Sequence, residues 1–330
     1  MNFGGTIKLN PLGICVILGL TFIFLLYSFA RRPVYEKEVN LKDLLIAAIQ
    51  VAEKGGVEIK TQSHTELDKQ SKGKTREGAD EFITDADKRS HCSMYYGLRY
   101  TFPTLRVISE ETLSIEECAL YSETLHLIPN DDTIISLSNM YVPVEDVTVW
   151  IDPLDATQEF TEKLTSYVTV MVCVAVKGVP TIGVIHQPFD QQTTSWAWDG
   201  IAISPDLKRP MKKPESQPNI IVSRSHAGQV QESVSRVLPQ AKVIPAGGSG
   251  YKVLQLINGN ASAYVHSTYI KKWDVCAGNA ILRSLKGRMS TLKNEDIDYS
   301  DAKETKVKDG ILAALYDHGK YYDIFKNILQ

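Results

Sequence analysis

The chain has 330 residues, 43% of them hydrophobic and 23% charged, with 36 basic against 39 acidic side chains and a formal net charge of −3. This is a globular composition with length enough for one large or two medium domains. Its balanced, slightly acidic charge argues against a partner that is a nucleic-acid polymer. The five cysteines, Cys15, Cys92, Cys118, Cys173 and Cys276, show no CxxC spacing. That argues against a zinc site and a disulfide framework, while two bridges stay open.

After a short tail (1–11), residues 12–30 contain no charged side chain and are rich in Leu, Ile and Phe. As a helix they would extend about 28 Å at roughly 1.5 Å per residue, enough to cross a bilayer. We read them as an uncleaved transmembrane anchor rather than a signal peptide or a buried helix. The run is longer than an ordinary signal core, and no small-x-small site precedes Arg31-Arg32-Pro33. Topology cues conflict. Arg31, Arg32 and Lys37 after the run outweigh Lys8 before it and favour a cytosolic C-terminal part. The sequon Asn260-Ala261-Ser262 has meaning only if that part is lumenal.

A charged stalk (31–38) leads into a first domain, expected over 39–204. Apolar spacing predicts a helix over 39–54 closed by Gly55-Gly56, then a polar mobile loop over 61–79. A second helix is expected over 82–100, with Thr84-Asp85-Ala86-Asp87 at its start. Val107-Ile108 is a short strand running into Ser109-Glu110-Glu111, and 113–141 reads as an irregular acidic insertion. Next comes a buried strand over 147–151, breaking at Pro153 and entering a helix at Thr157-Gln158-Glu159. Apolar strands over 167–177, 180–186 and 194–198 follow as a meander. Four prolines within 205–218 mark a linker. Beyond it, strands over 219–223, 241–244 and 261–265 alternate with helices over 230–238 and 251–258, an α/β domain spanning 219–330. Helices over 275–285 and 321–329 and a strand or turn over 310–314 complete it.

Four acidic patches stand at element ends: Asp85/Asp87, Glu110/Glu111, Asp152/Asp155 and Asp274. Singly, each reads as a helix cap or a solvated turn. Together they are what a cluster of two or three Mg²⁺ ions needs for phosphate-ester hydrolysis: carboxylates from separate strand ends, joined by a backbone carbonyl. No DxDxDG loop supports EF-hand calcium binding.

Asp152-Pro153-Leu154-Asp155-Ala156-Thr157, Ser109-Glu110-Glu111 and Trp273-Asp274 resemble the three signature blocks of the lithium-sensitive, magnesium-dependent inositol monophosphatase family, in the right order over roughly 40–330. The resemblance implies an α/β fold, a layered α/β/α/β/α sandwich. It implies metal ligation by Glu110, Asp152, the Leu154 carbonyl, Asp155 and Asp274, with Glu111 in support. Asp87 and Thr157 would orient and deprotonate the attacking water, and the N–H groups near Ala156 and Thr157 would bind phosphate oxygens. The chain departs from the usual DPxDGT pattern in having Ala156 where glycine stands. Helix-entry φ/ψ is expected there, with a slightly tighter pocket.

The DPLDATQEF variant and the apolar N-terminus are similar to the branch of that family acting on 3'-phosphoadenosine 5'-phosphate in the Golgi. This implies release of AMP and phosphate, a by-product of sulfation being cleared, a single-pass type II anchor, a lumenal catalytic domain and a glycosylated Asn260. It also implies that Ser223, His226, Gly248 and Lys252 contact the AMP part of the substrate. Lys271 and Lys272, beside Asp274, would attract a multiply charged substrate or form a solvated pair. An inositol or sugar phosphate phosphatase of the same fold is the alternative, and a non-catalytic membrane-anchored scaffold is a second. Homo-oligomerisation is left open.

Overall fold

The computed structural model describes residues 11–30, 37–63, 69–74, 80–121, 123–129, 131–189, 192–210, 217–225 and 229–326. Two compact units result, residues 1–36 and 37–330. The first contains a helix, Pro11–Ala30, whose described large side chains, among them Ile14, Leu18, Phe22 and Phe24, are exposed. Those described side chains end at Phe24, and among the described residues no helix is long and apolar enough to cross a membrane.

The second unit is built on two sheets. The six-stranded sheet runs, in spatial order, Ala202–Ile203, Thr194–Trp198, Val179–His186, Thr169–Val176, Val147–Asp155, Arg106–Ser109. It is antiparallel except for the last pair, Arg106–Ser109 with Val147–Asp155, which is parallel. The five-stranded sheet runs Lys242–Ala246, Asn219–Ser223, Ala263–His266, Ile311–Ala314, Arg288–Thr291. Its first three strands are parallel and the remaining pairs antiparallel.

Side chains alternate between faces along a strand, so a strand covered on both sides must be apolar throughout. In Thr169–Val176, Val170, Val172 and Val174 enter one core, which also holds the helix Leu41–Gln62, while Met171, Cys173 and Ala175 enter a second. That second core is filled by the helices Ser249–Ile257 and Lys272–Ser284, and by Ile221 and Tyr264 of the other sheet. Ile220 and Val222 point the opposite way, into a third core under Val230–Val237 and His318–Phe325. Three cores, the second lying on both sides of the middle helices, separate five layers in a helix–sheet–helix–sheet–helix stack, the layering that the family resemblance implies.

Several local expectations are corrected. The first helix does not stop at Gly55-Gly56 but runs Leu41–Gln62. A Cβ at Gly55 would lie 2.6 Å from the Ser90 hydroxyl, and one at Gly56 2.5 Å from the His186 ring, so these glycines permit close packing instead of ending the helix. Part of the expected 61–79 loop is a strand, Gln70–Lys74, paired with Asp80–Ile83. Phe82 therefore belongs to a strand, and the next helix begins only after Thr84, its N-cap, passing into a π-helical turn at Cys92–Tyr96. The Val147 strand continues through Pro153 to Asp155. Its ladder is irregular between Asp152 and Asp155, where a proline without an N–H is tolerated. The edge strand Arg288–Thr291 had no distinct signal.

The two bridges that the sequence left open are formed, Cys92–Cys118 and Cys173–Cys276. Their partners lie 26 and 103 residues apart, separations that no short spacing motif reveals.

Candidate active site

The parallel pairing of Ser109 with Ile151 places the residues that follow, Glu110 and Asp152, side by side at the strand ends, and Glu110 N donates to Ile151 O at 3.2 Å. Asp274 reaches the same place from the first turn of Lys272–Ser284, accepting from Lys271 N at 3.1 Å. One oxygen from each of Glu110, Asp152 and Asp274 lies within 4.8 Å of the others. Asp155 Oδ2 accepts from Thr169 Oγ1 at 2.9 Å and from Gly250 N at 2.8 Å. It thereby docks the start of Ser249–Ile257 onto the site.

Burial, then the neighbouring carboxylates led by Glu110, holds the pKa of Asp152 and Asp274 well above the usual range. Burial raises Asp155 as well, and burial with Glu110 pushes Glu111 up to about 7. So much clustered carboxylate is costly without a cation. Lys72 supplies part of the compensation, its Nζ 2.8 Å from Glu110 and 2.6 Å from Glu111. The donor set suits a hard divalent cation, being all oxygen.

A second group adjoins the cluster. Asp87 is buried at the start of its helix, where Oδ2 accepts from Thr84 N at 2.7 Å and Thr84 Oγ1 at 2.5 Å. Its Oδ1 accepts from Thr157 Oγ1 at 2.9 Å, and that hydroxyl also lies 3.1 Å from Leu154 O. Burial raises Asp87 to about 6. The helix is pinned to the strand Val147–Asp155 by Ser90 Oγ, which donates to Pro153 O at 2.7 Å, and to the neighbouring strand Arg106–Ser109 by His91 Nδ1, 2.8 Å from Ser109 Oγ. Carboxylates at the end of a strand and a hydroxyl–carboxylate pair beside them can hold a cation and order a water against it.

A profile of the inositol monophosphatase family matches residues 40–324. The chain belongs to the inositol monophosphatase family. It is 44% identical over 329 residues to inositol monophosphatase 3 of Danio rerio, covering 94% of each chain. It is 42% identical over 340 residues to the Golgi-resident adenosine 3',5'-bisphosphate 3'-phosphatase of Mus musculus, covering 94% of this chain and 93% of that one. Among solved structures, an inositol monophosphatase/NADP phosphatase complexed with Mg²⁺ and phosphate superposes with a TM-score of 0.59 at 15% identity, over 82% of this chain and 90% of the other. At that identity the likeness concerns the fold alone.

Within this member of the family, Glu110, Asp152, Leu154, Asp155, Ala156, Thr157, Ser223, Gly248, Lys252, Lys271 and Asp274 all line one pocket. Asp87 and Glu111 stand behind its wall. His226 lies outside the described residues. The Lys252 ammonium is turned to the Gly248 carbonyl, at 2.5 Å, and to Ala246 O at 3.4 Å, and burial lowers its pKa to about 8. Lys271 lines the pocket with its Nζ 5.1 Å from the Trp273 ring centroid, and Lys272 lies on the Trp150 ring, 5.5 Å from its centroid. Asn260 is exposed and donates to Gln255 Oε1 at 2.9 Å.

Ala156 corrects the expectation of helix-entry geometry: its φ of 71° and ψ of 44° are left-handed, the conformation that favours the family's usual glycine. That conformation costs a non-glycine residue about 1–2 kcal/mol, offset by the extra freedom glycine has when unfolded, about 0.5–1 kcal/mol. Ala156→Gly should therefore raise stability by up to about 1 kcal/mol. Urea unfolding measures it, and a clear loss would contradict the assigned backbone.

Three contributors escaped the sequence reading. Lys72 sits in a polar stretch with no periodicity to place it. Thr169 reaches Asp155 only through antiparallel register. Arg224 pairs with Glu159 and Glu162 across 65 and 62 residues.

Proposed function

We propose that this protein is a Mg²⁺-dependent, lithium-sensitive phosphatase that removes the 3'-phosphate of 3'-phosphoadenosine 5'-phosphate, yielding AMP and phosphate. The observation that carries the reading is the Glu110–Asp152–Asp274 cluster lying beside the Thr157–Asp87 pair. Glu110, Asp152, the Leu154 carbonyl, Asp155 and Asp274 would hold two or three ions, with Glu111 in support. Mg²⁺ bound there supplies Lewis-acid stabilisation of phosphate oxygens and lowers the pKa of a coordinated water.

The chain's own groups do the rest. With its proton directed at Asp87 Oδ1, the Thr157 hydroxyl keeps lone pairs with which to accept a hydrogen bond from the attacking water. Asp87, with a pKa raised to about 6, is suited to taking up a proton near neutral pH. The backbone N–H groups at Ala156 and Thr157 receive the phosphate oxygens. Ser223, Gly248, Lys252 and His226 serve the nucleotide end, Lys252 by holding the Gly248 turn through its carbonyl.

The helix Pro11–Ala30 is read as a type II membrane anchor in the Golgi, with residues 37–330 lumenal. Its uncharged sequence supports that reading, as do the exposed Asn260 sequon and the two disulfides, which persist in oxidising compartments. The basic residues after the helix argue the other way and carry less weight.

The test is phosphate release from 3'-phosphoadenosine 5'-phosphate, adenosine 3'-monophosphate and inositol monophosphates, with and without Mg²⁺ and Li⁺. The bisphosphate should show the highest kcat/KM, with activity lost on chelation and inhibited by Li⁺. Preference for an inositol phosphate would transfer the assignment to the activity named for the Danio rerio relative.

A further inference from the structure

Arg224 follows the strand Asn219–Ser223, and its backbone N–H donates to Ala246 O at 3.0 Å, next to the Gly247-Gly248 turn. Its guanidinium forks onto the helix Thr157–Thr161 and the residue after it, with Nη1 3.2 Å from Glu159 Oε1 and Nη2 bonded to Glu162 Oε2. Glu159 is only 1% exposed yet its residue lines the pocket. A Cβ on Gly247 would stand 2.5 Å from the Glu159 carboxyl carbon, so the carboxylate is packed directly against that turn. Three pocket segments thus meet at one ion pair: the helix start at Thr157, the Ser223–Ser225 turn and the Gly247-Gly248 turn.

Charge gives this junction its consequence. The pocket already presents Glu110, Asp152, Asp155 and Asp274, and a bisphosphate brings two more anionic groups. Cations at the cluster compensate one of these groups, while the other must lie elsewhere along the wall. An unpaired Glu159 in that wall would repel it, and like charges brought together at a binding surface are strongly unfavourable.

We propose that Arg224 is a positioning residue for the nucleotide end of the substrate. Pairing with Glu159 and Glu162 holds the three segments in register and cancels a carboxylate charge in the pocket wall, so Arg224 sets KM for a doubly phosphorylated substrate and leaves turnover to the cluster. This rests on the reading of the substrate as 3'-phosphoadenosine 5'-phosphate.

Arg224→Gln, Arg224→Lys and the unaltered protein are compared by steady-state kinetics on 3'-phosphoadenosine 5'-phosphate and adenosine 3'-monophosphate, with thermal melting alongside. Arg224→Gln should raise KM for the bisphosphate about tenfold with kcat within about twofold. KM for the monophosphate should change much less, and Arg224→Lys should recover most of the loss. An equal rise for both substrates, an unchanged KM, or a fall in kcat that tracks a lowered melting temperature would overturn the role. Failure of the unaltered protein to hydrolyse the bisphosphate would instead remove the substrate reading, and this inference with it.

Discussion

Asp152→Asn should make the metal-free protein more stable and the enzyme nearly inactive. Asparagine is almost isosteric and can still accept the hydrogen bond that Asp152 Oδ1 takes from Leu154 N at 3.2 Å. It removes one buried negative charge from a group in which burial, Glu110, Asp155 and Asp274 all penalise ionisation. The folded carboxyl holds its proton at pH values where the unfolded chain has already released it. Ionising it therefore draws on folding free energy as the pH rises above the unfolded value of about 4. The stability gain should be absent in strong acid and grow toward neutral pH. Chelated protein melted at pH 5 and pH 8 would show it as a rise in Tm, larger at pH 8. Added Mg²⁺ should raise the Tm of the unaltered protein far more than that of the variant, because a ligand that binds only the native state stabilises it by mass action. Catalysis should move the opposite way, with kcat/KM down by about 10³-fold or more. A variant keeping a tenth of normal activity would remove Asp152 from the proposed ligand set.

Legibility followed the range of the interactions. Glu110, Asp152, Asp155 and Asp274 could be picked out because Glu110 directly follows one strand, Asp152 and Asp155 share the last residues of another and Asp274 opens a helix, and turn chemistry and hydrophobic period mark those places to within a few residues. The strands over 169–176 and 179–186 were equally plain, since both of their faces are largely covered and most of their positions are apolar. Whatever depends on a second segment was hidden. Gly55 and Gly56 read as a helix stop because nothing local reveals Ser90, Met94 and His186 pressing on that face. Lys72 sits on a strand that exists only by pairing with Asp80–Ile83. Ala156 looked compatible with helix entry, and only the assembled turn requires positive φ. The role of Lys252 shifted for the same reason: the resemblance implied contact with the AMP part of the substrate, while in the fold its ammonium is held by the Gly248 and Ala246 carbonyls.

Replacing Cys173 and Cys276 together by alanine should produce a large loss of stability without touching a carboxylate. The bridge joins residues 103 apart, Cys173 in the strand Thr169–Val176 and Cys276 in the helix Lys272–Ser284. In the chain-entropy description a closed loop of that length is worth about 4.7 kcal/mol, against about 3.5 kcal/mol for the 26-residue loop of Cys92–Cys118. Against a net stability of about 5–15 kcal/mol for a typical domain, the longer bridge alone is a substantial share. Both its cysteines are buried, so alanine leaves no polar group stranded. The expected fall in Tm is about 10 °C. Activity should suffer as well, because Cys276 lies one residue beyond Val275 from Asp274, and Cys173 is opposite Trp150 in the strand that carries Asp152. The bridge ties the helix bearing one acidic residue of the cluster to the sheet bearing another. Loosening it should weaken Mg²⁺ more than it alters the nucleotide KM, since Ser223, Gly248 and Arg224 are on other segments. Dithiothreitol should reproduce the effect in the unaltered protein and leave the double variant's melting nearly unchanged apart from the share owed to Cys92–Cys118. Peptide mapping without reductant should recover Cys173 linked to Cys276. Finding both as free thiols in protein purified from the secretory pathway would contradict the bridge and withdraw its support for a lumenal location.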